Sequence, residues 1–276
     1  MKISVIISTY NSPVWLEKVF WGYEVQTYKD FELVIADDGS GDETIQMINK
    51  YKETSNLSII HVWQEDEGFQ KSRILNKAVL ASTTEYLLFS DGDCIPRKDF
   101  IEKHIRYMRP GRFLSGGYFK LPMETSKLVS KEDIVSQRAF DVDWLYDHGL
   151  HKTYKTMKLT SQGFRERLLN FITPATATWN GHNSSGWKKD ILAVNGYNES
   201  MQYGGQDREL GERLMNKGIK GIQIRYSAIC VHLDHPRGYN TPESIAKNKQ
   251  IRKETKTQKK VWTEYGILKS AQPVSV

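Results

Sequence analysis

Two cysteines, Cys94 and Cys230, are the whole complement of a 276-residue chain. A disulfide framework is thereby excluded, the expected setting is a reducing cytoplasm, and the pair reads as two small hydrophobes. No stretch approaches the ~20 continuous apolar residues of a membrane span. "MKISVIISTYN" turns polar too soon for a secretory leader and reads as a first strand. Neither G-x-G-x-x-G nor G-x-x-x-x-G-K-[ST] occurs, so dinucleotide dehydrogenases and P-loop ATPases are poorly supported. Zinc-finger spacing and RNA-binding aromatic motifs are also missing, and nucleic acid is not an expected partner. There are no internal repeats and no low-complexity linker.

What the chain does have is positive charge and a regular alternation. The formal charge is +6 and the pI near 9.0, which points to anionic partners such as nucleotides, phosphorylated lipids or a membrane surface. "ISVIIS" (3–8), "FELVIA" (31–36), "LSIIHVW" (57–63) and "EYLLFS" (85–90) read as strands. "SPVWLEKVFWGYEVQ", "DETIQMINKYKE" and "QKSRILNKAVLAS" read as the helices between them, with Ser12 as N-cap and Pro13 in the first turn. That order predicts an α/β fold with a mostly parallel sheet flanked by helices. Ligands of such sheets bind beyond the carboxyl ends of the strands. After residue 112 the regularity stops. "FLSGGYF" reads as one further strand and "KEDIVSQRAFDVDWLYDHG" as one helix. From 181 onwards the pattern is turn, helix, turn, helix and strand.

Three predicted strand ends carry polar clusters. "SDGD" places Asp91 and Asp93 one residue apart behind a core strand. Two such carboxylates repel each other unless a cation joins them, and Mg²⁺ or Mn²⁺ prefers oxygen ligands shared with phosphates. An ordinary Asp-Gly turn is the competing explanation. In "ADDGSGD" Asp42 suits a helix start, whereas Asp38 has no such duty and suits a ribose or base contact. Asp207, beside two glycines in "GGQDREL", is a candidate general base, or a helix-start carboxylate favoured by the dipole. His232 and His235 in "CVHLDHPRG", with Arg237 beside them, are candidate metal ligands or structural histidines. Arg73 is either a nucleotide contact or a solvated helical arginine.

Taken together, "ISTYN", "ADDGS", "SRILNKA" and "SDGD" resemble the nucleotide-binding half of family-2 glycosyltransferases with the GT-A fold. "GHNSSGWKKDILAVNGYNE" and "YGGQDRELGERL" resemble the carboxyl-terminal segment of β-1,4-galactosyltransferases and chondroitin-polymerase-type enzymes. The resemblance covers roughly residues 1–118 and 180–236. It implies that Ser8, Tyr10 and Asp38 hold the uridine of a UDP-sugar, with Asp37 next to it and Arg73, Asp91 and Gly92 as further nucleotide-sugar contacts. It implies that Asp91 and Asp93 bind Mn²⁺ or Mg²⁺ with His232, His235 being the competitor. Asn183, Ser184 and Gln206 fall where donor sugar and acceptor meet, and Asp207 falls on the carboxylate that deprotonates the acceptor. Gln206 departs from the family, which often has Glu there. The implied reaction inverts the anomeric centre and transfers a hexose or N-acetylhexosamine to a saccharide or lipid-linked saccharide.

The expected organisation is one domain over 1–240, divided into a nucleotide-sugar half (1–118) and an acceptor half (119–240), then a basic helical tail over 241–276. Between 242 and 262 the tail carries seven Lys or Arg against two Glu. It reads either as a peripheral contact with an anionic membrane or as a solvated helix, the second being favoured. Two other functions stay open: a carbohydrate- or nucleotide-binding protein without turnover, and a sugar-1-phosphate nucleotidylyltransferase. The second lacks its usual glycine- and arginine-rich loop, because "STYNSP" follows the first strand.

Overall fold

The computed structural model describes residues 1–236 and 241–269. Four strands come first, β1 (Ile3–Thr9), β2 (Phe31–Asp37), β3 (Ile59–Trp63) and β4 (Tyr86–Asp91), joined by helices α1 (Pro13–Glu24), α2 (Asp42–Thr54) and α3 (Lys71–Ala81). All neighbouring pairs among them are parallel. Side chains alternate along β1. Val5 and Ile7 face a core shared with α1 and α2, and Ile6 faces a second core shared with α3. The in-register pairs Ser8–Asp91 and Thr9–Asp37 bring three polar strand ends into one row.

The later elements are β5 (Cys94–Pro96), α4 (Phe100–Tyr107), β6 (Arg112–Ser115), β7 (Gly117–Lys120), β8 (Ser184–Trp187), β9 (Lys220–Gln223) and β10 (Ile229–His232). The main sheet runs β3-β2-β1-β4-β8-β6-β9, and a small sheet runs β5-β10-β7. β8 is antiparallel to both its neighbours.

Several expectations need correction. "FLSGGYF" is two strands in two sheets, and Gly116 is the crossing point. A Cβ at Gly116 would lie 2.1 Å from the Asn183 side chain, so only glycine fits there. The stretch from "IQIR" to "CVHL" is likewise two strands, β9 and β10. "KEDIVSQRAFDVDWLYDHG" breaks into Lys131–Val135, a short 3-10 turn and Val142–Asp147. Gln137 takes φ 68° at the break, and Ser130 and Asp141 each cap a new start. Ser12 makes no capping hydrogen bond, so Pro13 alone marks the start of α1. The tail is helical over Pro242–Thr257, yet it is docked rather than free. Arg252 pairs with Glu212 at 2.6 Å, and Asn248 Nδ2 donates to the carbonyls of Gln202 and Tyr203. Residues 270–276 of the expected tail lie outside the described residues.

One buried charge ties the strand starts together. Glu32, on β2, accepts from Ser4 Oγ (2.7 Å), Thr83 N (2.8 Å) and Thr83 Oγ1 (2.6 Å), and pairs with Lys2 (2.8 Å). Burial opposes its ionisation, but these donors outweigh burial and hold its pKa down at about 2. A carboxylate depressed on folding stabilises above its ordinary pKa, and that stability is lost as pH falls through the folded value. Glu32→Gln is expected to cost about 1–3 kcal/mol at neutral pH. Urea unfolding from pH 7 down to pH ~2 should show the wild-type advantage shrinking in acid.

Candidate functional site

Ser8 Oγ, at the end of β1, donates to Asp91 Oδ1 at 2.8 Å. The same oxygen accepts from Lys71 Nζ at 2.7 Å. Lys71 is the first residue of α3, so the helix delivers a cation to the strand ends. Burial pushes the Asp91 pKa up, but Lys71, then His182, then the two hydrogen bonds bring it down to about 2. Asp91 is therefore ionised without any added cation. Lys71 also acts electrostatically on Asp207.

Asp38 is buried between two loops. Its Oδ1 accepts from Gln64 Nε2 (2.6 Å) and its Oδ2 from the Gln70 amide (2.9 Å). Burial raises its pKa to about 6 against those donors and Lys71. Gly39, at φ 94°, lets the chain pass the Asp66 backbone, which a Cβ would approach to 2.6 Å. Tyr10 is half-exposed, and its hydroxyl donates to Asp66 at 2.8 Å.

Asp93 lies on the other side. Strand β5 pairs antiparallel with β10, setting His232 opposite Cys94. His235 Nε2 then sits 2.9 Å and His232 Nε2 3.5 Å from Asp93 Oδ2. Asp93, Cys94 and His232 bring potential ligand atoms within 4.8 Å of one another. The His232 Nδ1 is buried with no hydrogen-bond partner. One carboxylate and two imidazoles converging on a point suit a divalent first-row cation. Burial raises the Cys94 thiol's pKa in the absence of an ion, and a softer thiolate is less suited than oxygen or imidazole to Mg²⁺ or Mn²⁺. Asp91, expected as a co-ligand, has its Oδ1 engaged by Lys71 and Ser8. Both histidines reach Asp93, so neither excludes the other. Arg237 lies outside the described residues.

Asp207 stands in the first turn of the helix Gln206–Asn216, after Gly204 (φ 111°) and Gly205 (φ 97°). Its Oδ1 is buried and unpartnered. Burial raises its pKa to about 6; Lys71 lowers it, Asp91 raises it, and the Gly181 amide lowers it. A partly buried carboxylate with one buried, unpartnered oxygen has a reason to be there only if something else fills that valence.

Other expected contacts are engaged by the protein itself. Asp37 Oδ1 accepts from the Ser40 amide and Oδ2 faces His61 at 2.9 Å; it is fully buried and shapes the loop. Arg73 turns outward to Glu67 at 2.6 Å. Gln206 Oε1 accepts from the Gly204 amide at 3.1 Å and closes its own turn. Ser184 Oγ accepts from the Asn180 amide at 2.9 Å, and Asn183 is spent wholly inside the core. Gly92 does sit on the strand row, its amide donating to the Ser8 carbonyl at 2.8 Å.

Two site residues escaped sequence reasoning. His182 packs edge-on against Tyr118 at 4.7 Å between centroids, and Tyr118 also touches His232. Burial lowers the His182 pKa to about 4, although Asp91 pulls it up. Its only signal was a histidine beside glycine in "NGHNSSG". Lys71 was visible as the basic residue nearest the helix start, closer to the strand ends than Arg73. Lys71→Met leaves Asp91 without its counter-charge. The expected cost is about 2–4 kcal/mol, read by urea unfolding at neutral pH.

A mostly parallel sheet with an acidic row across its strand ends, joined to a carboxylate–imidazole cluster, has the form of the GT-A class of glycosyltransferase. Residues 4–171 match glycosyl transferase family 2, and the chain belongs to that family. It is similar to YfnE of Bacillus subtilis strain 168, an uncharacterized glycosyltransferase, with 25% identity over 90% of this chain and 69% of that one. Two rickettsial relatives match over 113 residues only, 18% of their own length. Among solved structures, Staphylococcus aureus TarS 1-349 in complex with UDP-GlcNAc aligns with TM-score 0.60 at 17% identity, over 94% of this chain and 69% of that one. The mannosyltransferase PcManGT of Pyrobaculum calidifontis, in complex with GDP-Man and Mn²⁺, aligns with TM-score 0.59 at 19% identity, over 86% and 58%. These likenesses establish the fold, and the family establishes a glycosyltransferase using a nucleotide sugar. No helix among the described residues is long and apolar enough to cross a membrane.

Proposed function

We propose that the chain is an inverting, metal-dependent glycosyltransferase that moves a hexose or N-acetylhexosamine from a UDP-sugar to a hydroxyl of a saccharide or lipid-linked saccharide, in the building of a cell-surface polysaccharide. The observation that carries this reading is the buried, unpartnered Asp207 Oδ1 beside the Lys71–Asp91 pair. TarS supports the UDP-sugar donor, and PcManGT supports Mn²⁺.

Asp38, Ser8 and Tyr10 line the nucleoside end of the strand row. Lys71 supplies a fixed positive charge for the diphosphate, with Asp91 ready to release it. Asp93, His232 and His235 would hold the divalent cation, which when bound neutralises charge on the departing diphosphate. Asp207 takes the proton of the acceptor hydroxyl. The acceptor oxygen forms its bond to C1 of the sugar as the bond from C1 to the diphosphate oxygen breaks, and UDP leaves. Its raised pKa makes Asp207 a stronger base than an ordinary carboxylate while it remains mostly ionised at neutral pH.

The test is a panel of UDP- and GDP-sugars, with and without Mn²⁺, followed by nucleotide release and thermal shift. Metal-dependent stabilisation by UDP with slow hydrolysis of one UDP-sugar is the expected result. Stabilisation by GDP alone would overturn the donor assignment. No response to any nucleotide would overturn the reading.

A further inference from the structure

The helix Gly163–Ile172 is docked inside out. Its polar side faces the protein. Glu166 is buried, accepting from Lys103 Nζ (2.8 and 2.9 Å), Ser227 Oγ (3.1 Å) and Tyr107 OH (3.3 Å). Asn170, one turn on, donates to Ser227 Oγ (2.8 Å) and accepts from the Tyr226 amide (2.9 Å). Its apolar side faces outward. Phe164 is 80% exposed, Phe171 88%, Ile172 57% and Leu168 42%. A surface helix ordinarily does the reverse. Two nearly bare phenylalanines on one stripe, at i and i+7 with leucine between, are a binding face rather than scattered surface apolarity.

The charge around that stripe says what covers it. At about 100° per residue, Arg165 and Arg167 fall on opposite flanks of the apolar stripe, and both are exposed. The segment leading into the helix exposes Lys152, Lys155 and, at 76%, Tyr154. Glu166 is the only acid between His148 and Lys189, and it is buried and paired with Lys103. The outward face therefore presents aromatic rings bordered by cations, with no exposed carboxylate of its own. A protein partner or a second copy of this +6 chain would have to bring its own acidic rim. A bilayer surface bearing anionic lipids supplies both an apolar layer and negative charge.

We propose that the Gly163–Ile172 helix is an interfacial anchor, seating Phe164, Leu168 and Phe171 in an anionic membrane surface with Arg165 and Arg167 at the headgroups. The docked basic tail is not the element that does this. The anchor is close in sequence to the strand-end site: Lys158, just ahead of it, donates to the Tyr118 carbonyl at 3.0 Å, and the Tyr118 ring packs on His182 and His232. The seat holds whatever the transferred sugar proves to be, because it uses none of the residues given a catalytic or binding role.

The test is co-sedimentation of the full chain with vesicles of phosphatidylcholine containing phosphatidylglycerol, and with phosphatidylcholine alone. The wild type is expected to partition onto the anionic vesicles. The F164S/F171S double variant should lose about tenfold or more of that partitioning, and R165Q/R167Q about tenfold at low salt. Both variants should keep the wild-type thermal midpoint, because these side chains leave the core untouched. The K247Q/K249Q/K253Q variant, which alters only exposed tail lysines, should bind nearly as the wild type does. Three results would overturn the proposal: no wild-type binding to anionic vesicles, binding that survives loss of both phenylalanines but not of the tail lysines, or a wild-type dimer in sedimentation velocity that F164S/F171S dissolves. The last would assign the face to a second copy of the chain.

Discussion

Asp207→Asn is expected to lower turnover by about 10²–10⁴-fold with little change in UDP binding. The substitution keeps the shape and removes the one carboxylate of that turn with an unpartnered oxygen, since Glu209 is paired with Arg213 and Gln206 is neutral and engaged with Gly204. The expected pH profile follows from the same carboxylate. A general base must be ionised, so kcat falls as pH drops through its pKa, and burial has raised that value to about 6. An ordinary aspartate would hold the acid limb near pH ~4. Asp38 is also raised to about 6, and the two separate kinetically. Asp38→Asn should act mainly through the donor KM and leave kcat within a few-fold, because the role proposed for Asp38 is at the nucleoside end. Steady-state kinetics of both variants between pH 5 and pH 8, which brackets those values, check this. An Asp207→Asn enzyme with wild-type kcat would remove the base assignment.

The contrast between Asp91 and Asp207 shows how one cation sorts two partly buried carboxylates. Both are desolvated and both lie within reach of Lys71. Asp91 has Lys71 at 2.7 Å and Ser8 at 2.8 Å, and it stays a carboxylate down to about pH 2. Asp207 has neither partner in contact, and the ionised Asp91 pushes it upward. One group is thereby fixed in charge and the other is left able to take up a proton near neutrality.

The half of the molecule that alternates was legible before any coordinate. Strands β1, β2 and β4 are continuous apolar runs because helices cover both faces, and helical periods separate them, so the parallel sheet and its acidic strand ends followed. Strand β8 was not legible. "SSGW" has no strand signature, yet it fills the sheet between β4 and β6 because small residues were needed there: a Cβ at Gly186 would meet Trp179 at 3.1 Å. The carboxylates at the strand ends were readable as candidates from type and spacing. Lys71 and His182 were not, since their roles depend on tertiary approach across more than one element. Arg73 shows the same dependence on tertiary placement. Its residue type suited an anion, but its position on α3 points it to Glu67.

Asn183 yields the other large effect, on stability rather than on turnover. Its Nδ2 donates to the carbonyls of Gly117 (2.9 Å) and Ala228 (3.0 Å), which fixes its Oδ1 as an acceptor. That oxygen faces His104 Nε2 at 2.9 Å, so Nε2 carries the proton. His104 Nδ1 then accepts from Ser185 Oγ at 2.7 Å, and Ser185 accepts from Tyr86 OH at 2.8 Å. Burial holds the imidazole neutral, its pKa pushed down to about 3 despite the Asn183 bond. The chain of bonds joins β4 and β8 of the large sheet to β7 and the start of β10 in the small one. Asn183→Ala strands a buried N–H and two buried carbonyls at once, and is expected to cost about 3–6 kcal/mol. Gly116→Ala drives a methyl into the same amide and is expected to cost about 2–4 kcal/mol. Urea unfolding checks both. A sugar contact at Asn183 would instead raise KM and leave stability within about 1 kcal/mol, so one pair of measurements decides which role this residue has. The same network sets β10, and β10 carries His232 to Asp93. Loosening the junction should therefore also weaken Mn²⁺ binding to a variant that still folds, if His232 is a ligand as proposed, because the strand that carries it is positioned by these hydrogen bonds.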